Sequence, residues 1–197
     1  MAKRPTNNRT RHNNALEFHV SQGIVVELNG DVCGRVFAPD VVKDILRKYK
    51  QYTDSYGCYI YSIKAGRGFS PIYVGSATRQ CLGKEAFDSD KFLKCLQHIA
   101  GYKKCSLQIT FVVPRDKIDT NVDTRRGRCP RKTIGKLEKV LTAIAFRKNQ
   151  NLINKQNLCL ADFFINGVLN SDSGRPRKEV SAFKSMMGLQ GKTVLIV

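Results

Sequence analysis

Glu138 is the only acidic residue between Asp123 and Asp162, a span that holds ten lysines and arginines. A surface that basic draws phosphate, and a lone carboxylate inside it opposes that attraction. A divalent cation resolves the conflict, because it bridges a carboxylate and a phosphate oxygen. The plainer explanation is an interaction of Glu138 with the first turn of a helix and the lysines around it. Two tyrosines also stand out. Tyr59 closes Gly57-Cys58-Tyr59 and Tyr73 opens Tyr73-Val74-Gly75, each in a short β-branched and aromatic stretch. Their phenols would lie side by side on one sheet face, or belong to an ordinary hairpin whose tyrosines pack with wet tips.

Further candidates are cations. Lys91, Lys94 or Cys95, and His98 recur at helical spacing and share one face, which suits a phosphate. Phe92, Leu93 and Leu96 fill the other. Arg125, Arg126, Arg128, Arg131 and Lys132 fall within eight residues. Such a cluster is usually a solvated loop, but in this chain it is the best candidate for tracking a phosphate backbone. Gly174-Arg175-Pro176-Arg177 has the composition of a minor-groove hook.

The elements that must position these groups follow from pattern. Gly57 to Ile63 and Pro71 to Gly75 read as two strands around Gly66-Arg67-Gly68. Residues 76–88 read as a loop with Arg79, Lys84 and Glu85. A helix follows from Ser89 to about Tyr102, capped by Asp88 or Ser89. Ser106 to Pro114 is a strand and 115–133 a loop. The clearest helix runs from Ile134 to about Asn149, with Thr133 as its cap and Leu137, Leu141, Ile144 and Ala145 as its apolar stripe. Upstream, 17–37 reads as a hairpin about Asn29-Gly30, and Pro39 opens a helix over Asp40–Tyr52. Downstream come a strand at Phe163–Leu169, a helix near Val180–Met187 and a strand at Thr193–Val197. The fold class expected is α/β in the α+β sense: a small, mostly antiparallel sheet flanked by helices. Residues 1–14 are expected to be a disordered basic arm, 15–55 a hairpin-helix extension, 56–160 the core and 161–197 a basic C-terminal extension.

A net charge of +18, from 34 basic and 16 acidic residues, suits a polyanion partner, most often nucleic acid. No run of about 18 apolar residues exists, so no membrane-spanning helix is expected, and residues 1–14 lack the apolar core of a signal peptide. Seven cysteines without a C-x-x-C pair suggest reduced thiols and a cytoplasmic location, not a disulfide framework or a zinc site.

Gly57-Cys58-Tyr59, thirteen residues, then Tyr73-Val74-Gly75 resembles the paired motifs of the GIY-YIG nucleases. In that family a basic helix follows the second strand, a later helix carries one glutamate, and an asparagine lies just beyond it. The stretch from Leu137 to Asn154 is similar to that glutamate segment, and the resemblance covers about Tyr56–Lys155. It implies that Tyr59 and Tyr73 are active-site tyrosines, that Glu138 holds one Mg²⁺ or Mn²⁺, and that Asn154 matches the terminal asparagine. The family's arginine, with a histidine four residues later in some members, would correspond to Lys94 and His98. Lysine offers a point charge without a bidentate fork, so either Arg79 or Lys91 takes that role, or activity is weakened. Cys58 stands where isoleucine is usual.

The reaction so implied is metal-dependent hydrolysis of a phosphodiester in double-stranded DNA. The metal would stabilise developing charge, water would attack beside Tyr59, and Tyr73 would position water or phosphate. A phenol ionises near pH ~10 and is a poor base at neutrality unless a cation such as Lys94 or His98 assists it. A restriction or phage-related enzyme is the expectation, as a homodimer if both strands are cut. One rival is a non-catalytic DNA- or RNA-binding protein with a degenerate GIY-YIG core; another is a structural RNA-binding factor. An enzyme with paired carboxylates needs an acid followed by acid-x-lysine on adjoining strands, and Asp40 has no such partner.

Overall fold

The computed structural model of the chain describes residues 16–26, 28–29, 36–37, 39–64, 68–100, 102, 105–115, 131–154, 164–165, 167–168 and 177–189. The arm at 1–14, Arg125, Arg126, Arg128, Arg175 and the terminal strand expected at 193–197 lie outside them.

The sequence's strongest β-formers make the middle of a six-stranded sheet. β5 (Gly57–Lys64) lies between β6 (Phe69–Ala77) and β7 (Ser106–Pro114), antiparallel to both. Its residues are buried from Gly57 through Ile63, because helices cover both sheet faces. β1 (Glu17–Val20) and β2 (Ile24–Val26) run along the other side of β7. They act as two halves of one strand, interrupted where Ser21 exchanges bonds with Phe111: its amide donates to the Phe111 carbonyl at 2.8 Å and its Oγ accepts from the Phe111 amide at 2.9 Å. β8 (Phe164–Ile165) adds a parallel edge beside β1. The fold is thus α+β with a mostly antiparallel sheet, as expected. The stretch expected to be an N-terminal extension contributes two strands to this central sheet.

The turn expected at Asn29-Gly30 is corrected. β3 (Leu28–Asn29) pairs with β4 (Val36–Phe37), with Asn29 opposite Val36. That register puts Asn29 in a strand and excludes a two-residue turn at Asn29-Gly30.

α1 (Pro39–Lys48) and α2 (Lys50–Thr53) lead into β5. Pro39 occupies the first helical position, where its fixed φ and missing N–H cost least. The segment expected to be a loop at 76–88 contains a helix, α3 (Leu82–Ala86), whose Leu82, Gly83 and Ala86 are buried. α4 (Ser89–Ile99) is capped by Asp88, whose side chain accepts from the amides of Asp90 and Lys91. Its buried residues are Phe92, Cys95 and Ile99; Leu93, expected on the apolar face, is 53% exposed. α5 (Arg131–Lys148) starts before Ile134, so Thr133 lies inside the helix and is not its cap, and Arg131 and Lys132 are in its first turn. α6 (Lys178–Met186) follows Arg177.

Two cores result. α5 and α6 pack on Cys58, Ile60 and Val74. α1, α3 and α4 pack on the opposite face, against Tyr59, Tyr61 and Ile72, with Tyr73 and α2 at its margin.

Candidate active site

Sheet register brings the tyrosines together. Tyr59 lies opposite Gly75, and Tyr61 opposite Tyr73. The Tyr59 and Tyr73 rings stack with centroids 6.0 Å apart and planes 24° from parallel. Gly75 makes this possible. A Cβ on it would fall 2.4 Å from Tyr59 Cζ and 2.5 Å from the Tyr59 hydroxyl. The Tyr59 ring therefore fills the space that any other residue at position 75 would occupy.

The three phenols of this face differ. Tyr61 meets Tyr59 edge-on at 5.9 Å, and its hydroxyl donates to the Ala86 carbonyl at 2.8 Å. Tyr61 is structural: it ties α3 to the sheet. Tyr59 is fully buried, and among the described residues its hydroxyl makes no well-formed hydrogen bond, although the Tyr73 hydroxyl lies near enough to interact with it. A buried hydroxyl so weakly satisfied costs free energy that a structural tyrosine would not incur. Burial, then the neighbouring tyrosines and Glu85, push its ionisation far above the ordinary phenol range. Tyr59 is thus a neutral phenol at physiological pH, able to orient or relay a proton but not to act as an unaided base. Tyr73 is partly exposed; burial raises its pKa, the Tyr59 hydroxyl opposes the rise and the Glu138 charge adds to it.

Glu138 sits in the second turn of α5. The helix-dipole explanation therefore loses its basis, because that stabilisation fades beyond the first turn. Ser76 Oγ donates to Glu138 Oε2 at 2.6 Å. Burial raises the carboxyl's pKa, Glu85 raises it further, and Ser76, Lys91 and Lys139 pull it back. Its register partner Cys58 places Ser76 on the α5 face of β6, and Tyr73 and Gly75 are on the other. Glu138 thus acts on Tyr73 across the outer strand of the sheet.

Asn154 holds that edge in place. Its Oδ1 accepts from the Val74 amide at 3.1 Å and its Nδ2 donates to the Val74 carbonyl. The side-chain amide acts as a one-residue strand. The Ile153 amide bonds the Ile72 carbonyl at 2.8 Å, and Asn149 Nδ2 bonds that of Pro71 at 2.8 Å. Asn154 is a positioning residue for the strand that carries Tyr73 and Gly75.

The cations are placed unevenly. The lysine of α4 that acts on Glu138 is Lys91, which forms an ion pair with Glu85. Lys94 is exposed on α4, and Cys95, one turn after Lys91, is buried, with its thiol pushed up to about 12 by burial. His98 lies seven residues beyond Lys91, about 10 Å along the axis, and burial lowers its pKa. Arg79 is exposed in the bend after β6. Arg131, Lys132 and Arg177 are exposed at the starts of α5 and α6.

Glu85 was not among the candidates read from sequence. Its charge raises Tyr59, Tyr73 and Glu138 alike. The i, i+4 pair of Leu82 and Ala86 is the one signal that would have turned its loop into a helix.

A divalent cation fits these residues. Glu138 is an under-compensated, partly buried carboxylate with one oxygen bonded to Ser76, and its charge reaches the Tyr73 phenol. Among the described residues no group of three or more histidines, cysteines or acids gathers. A cation here would rely on few protein ligands, as magnesium with retained waters does.

Comparison of the chain with protein-family models, curated proteins and solved structures gives no match. Among the described residues no helix is long and apolar enough to cross a membrane.

Proposed function

We propose that the chain is a metal-dependent endonuclease of the GIY-YIG type that hydrolyses phosphodiester bonds in DNA, in the manner of a restriction or phage enzyme. The observation that carries this is the stacked pair of Tyr59 and Tyr73, the latter within the field of Glu138, with the Tyr59 hydroxyl buried and in no well-formed hydrogen bond among the described residues. In this proposal the Tyr59 hydroxyl orients the attacking water and relays its proton, and Tyr73 holds a phosphate oxygen or that water. Glu138, oriented by Ser76, would hold Mg²⁺ or Mn²⁺. When bound, the cation supplies Lewis-acid stabilisation of charge on the phosphate. Asn154 keeps β6 in register. Arg131, Lys132 and Arg177, together with Arg125, Arg126, Arg128 and Arg175, would follow the DNA backbone. The protein would act in the cytoplasm, as a homodimer where both strands are cut.

The second reading is a non-catalytic nucleic-acid binder. It is favoured by Glu85, which neutralises Lys91 and raises both phenols.

Plasmid nicking by wild type and Glu138→Ala, with Mg²⁺, Mn²⁺ or EDTA, separates the two. Nicking that needs metal and Glu138 supports the nuclease. Equal plasmid binding by both proteins, with no cutting under any metal, supports the binder.

A further inference from the structure

Glu85 is an anion inside a region that the rest of the chain equips for phosphate. Both of its oxygens are held. Oε1 accepts from Lys91 Nζ, and Oε2 accepts from Gln80 Nε2 at 2.6 Å. The Lys91 ammonium also lies 3.5 Å from the Glu85 carbonyl oxygen. The pair is largely withdrawn from solvent, with side chains 25% and 19% exposed. Both partners sit on anchored elements. α3 is fixed by the Tyr61 hydroxyl on the Ala86 carbonyl and by the Leu82 amide on the Ser55 carbonyl at 2.8 Å. α4 is fixed by the Asp88 cap and by buried Phe92, Cys95 and Ile99. The pair cannot drift from the tyrosine face without undoing these contacts.

We infer that Glu85 is a built-in competitor for the phosphate: it positions Lys91 beside the tyrosines and gives it up when a substrate phosphate arrives. Lys91, not Lys94, is then the cation that touches the phosphate. This rests on the nuclease or nucleic-acid-binding site proposed above. A carboxylate oxygen pairs with an ammonium much as a phosphate oxygen does, so Glu85 occupies the cation in the resting protein. The exchange leaves Glu85 with its Gln80 bond and releases the counterion of the incoming phosphate. A purely structural pair, there only to dock α3 on α4, would have no bearing on DNA affinity.

The test is Glu85→Asp, which keeps the charge but shortens the arm by one methylene and lets go of Lys91. Binding of a fluorescein-labelled duplex is followed by anisotropy in EDTA, so that cleavage plays no part, for wild type, Glu85→Asp, Glu85→Gln, Lys91→Ala and Glu85→Asp/Lys91→Ala. Glu85→Asp is expected to bind about three- to fivefold tighter, the size of one ion pair, with a salt slope steeper by about one. The gain is expected to vanish in the Lys91→Ala background. Wild-type affinity in Glu85→Asp, or a gain that survives without Lys91, overturns the inference. If thermal melts show that Glu85→Asp does not fold, the salt slope of Glu85→Gln decides in its place: steeper by about one supports the exchange, unchanged refutes it. Cleavage of the same duplex in Mg²⁺ keeps the two questions apart. Cutting with flat affinities sinks only the role of Glu85, and shifted affinities without cutting sink only catalysis.

Discussion

Ser76 Oγ donates to Glu138 Oε2 at 2.6 Å, tying the end of β6 to the second turn of α5. This bond favours the ionised carboxyl against a burial that opposes it. Ser76→Ala should raise the Glu138 pKa further and release its orientation. Metal affinity is expected to fall about 10- to 100-fold, as when other outer-shell partners are lost. Titration with Mn²⁺, followed by calorimetry, measures it; unchanged affinity would place the metal elsewhere.

Glu138→Gln should stabilise the fold at neutral pH. The folded-state pKa of Glu138 is raised, so the folded protein holds this proton more tightly than the unfolded chain. Stability from this group is full below the unfolded carboxyl pKa and declines as pH rises toward and through the raised folded value. The glutamine variant is spared that loss. Its melting temperature should exceed wild type at pH 7 and converge with it near pH 4. A lower melting temperature at pH 7 would mean that the charge is compensated within the protein.

Asn154→Ala should cost about 1–3 kcal/mol, because the buried Val74 amide and carbonyl each lose their partner. Asn154→Asp should be worse, since a carboxylate cannot donate to the Val74 carbonyl. Urea denaturation measures both. A smaller loss for aspartate than for alanine would contradict the edge-strand role.

Tyr59 should add no ionisation step to the pH–rate profile. Burial and its neighbours hold the phenol far above its ordinary range, so it stays neutral up to about pH 10, where a free phenol ionises, and a relay by the neutral hydroxyl does not titrate below that. A step in the single-turnover rate between pH 7 and 8 that disappears in Tyr59→Phe would show a cation lowering that pKa in the complex.

The tyrosine strands, β7 and α5 were legible because each repeats one signal: β-branched and aromatic runs, or an apolar stripe at helical spacing. Tyr59, Tyr73 and Glu138 could be named from their neighbours in the chain. What joins them could not. The Ser76–Glu138 and Val74–Asn154 bonds link residues 62 and 80 positions apart, and local pattern says nothing of such pairs. α3 is five residues long, too short to show periodicity, so Glu85 read as a loop residue. On α4 the polar-face rule pointed equally to Lys91 and Lys94. Burial of Cys95 and exposure of Leu93 rotate the helix so that Lys91 meets Glu85.

Tyr59→Phe set against Tyr61→Phe probes the proposed site most directly, with plasmid nicking in Mg²⁺ and a thermal melt for each. Among the described residues the Tyr59 hydroxyl makes no well-formed hydrogen bond and interacts with the Tyr73 phenol, whereas that of Tyr61 bonds the Ala86 carbonyl. Tyr59→Phe should keep or gain stability and lose about 10²- to 10⁴-fold in nicking rate. Tyr61→Phe should lose about 1–3 kcal/mol of stability and still nick while folded. Wild-type nicking by Tyr59→Phe would contradict a catalytic role for the stacked tyrosines.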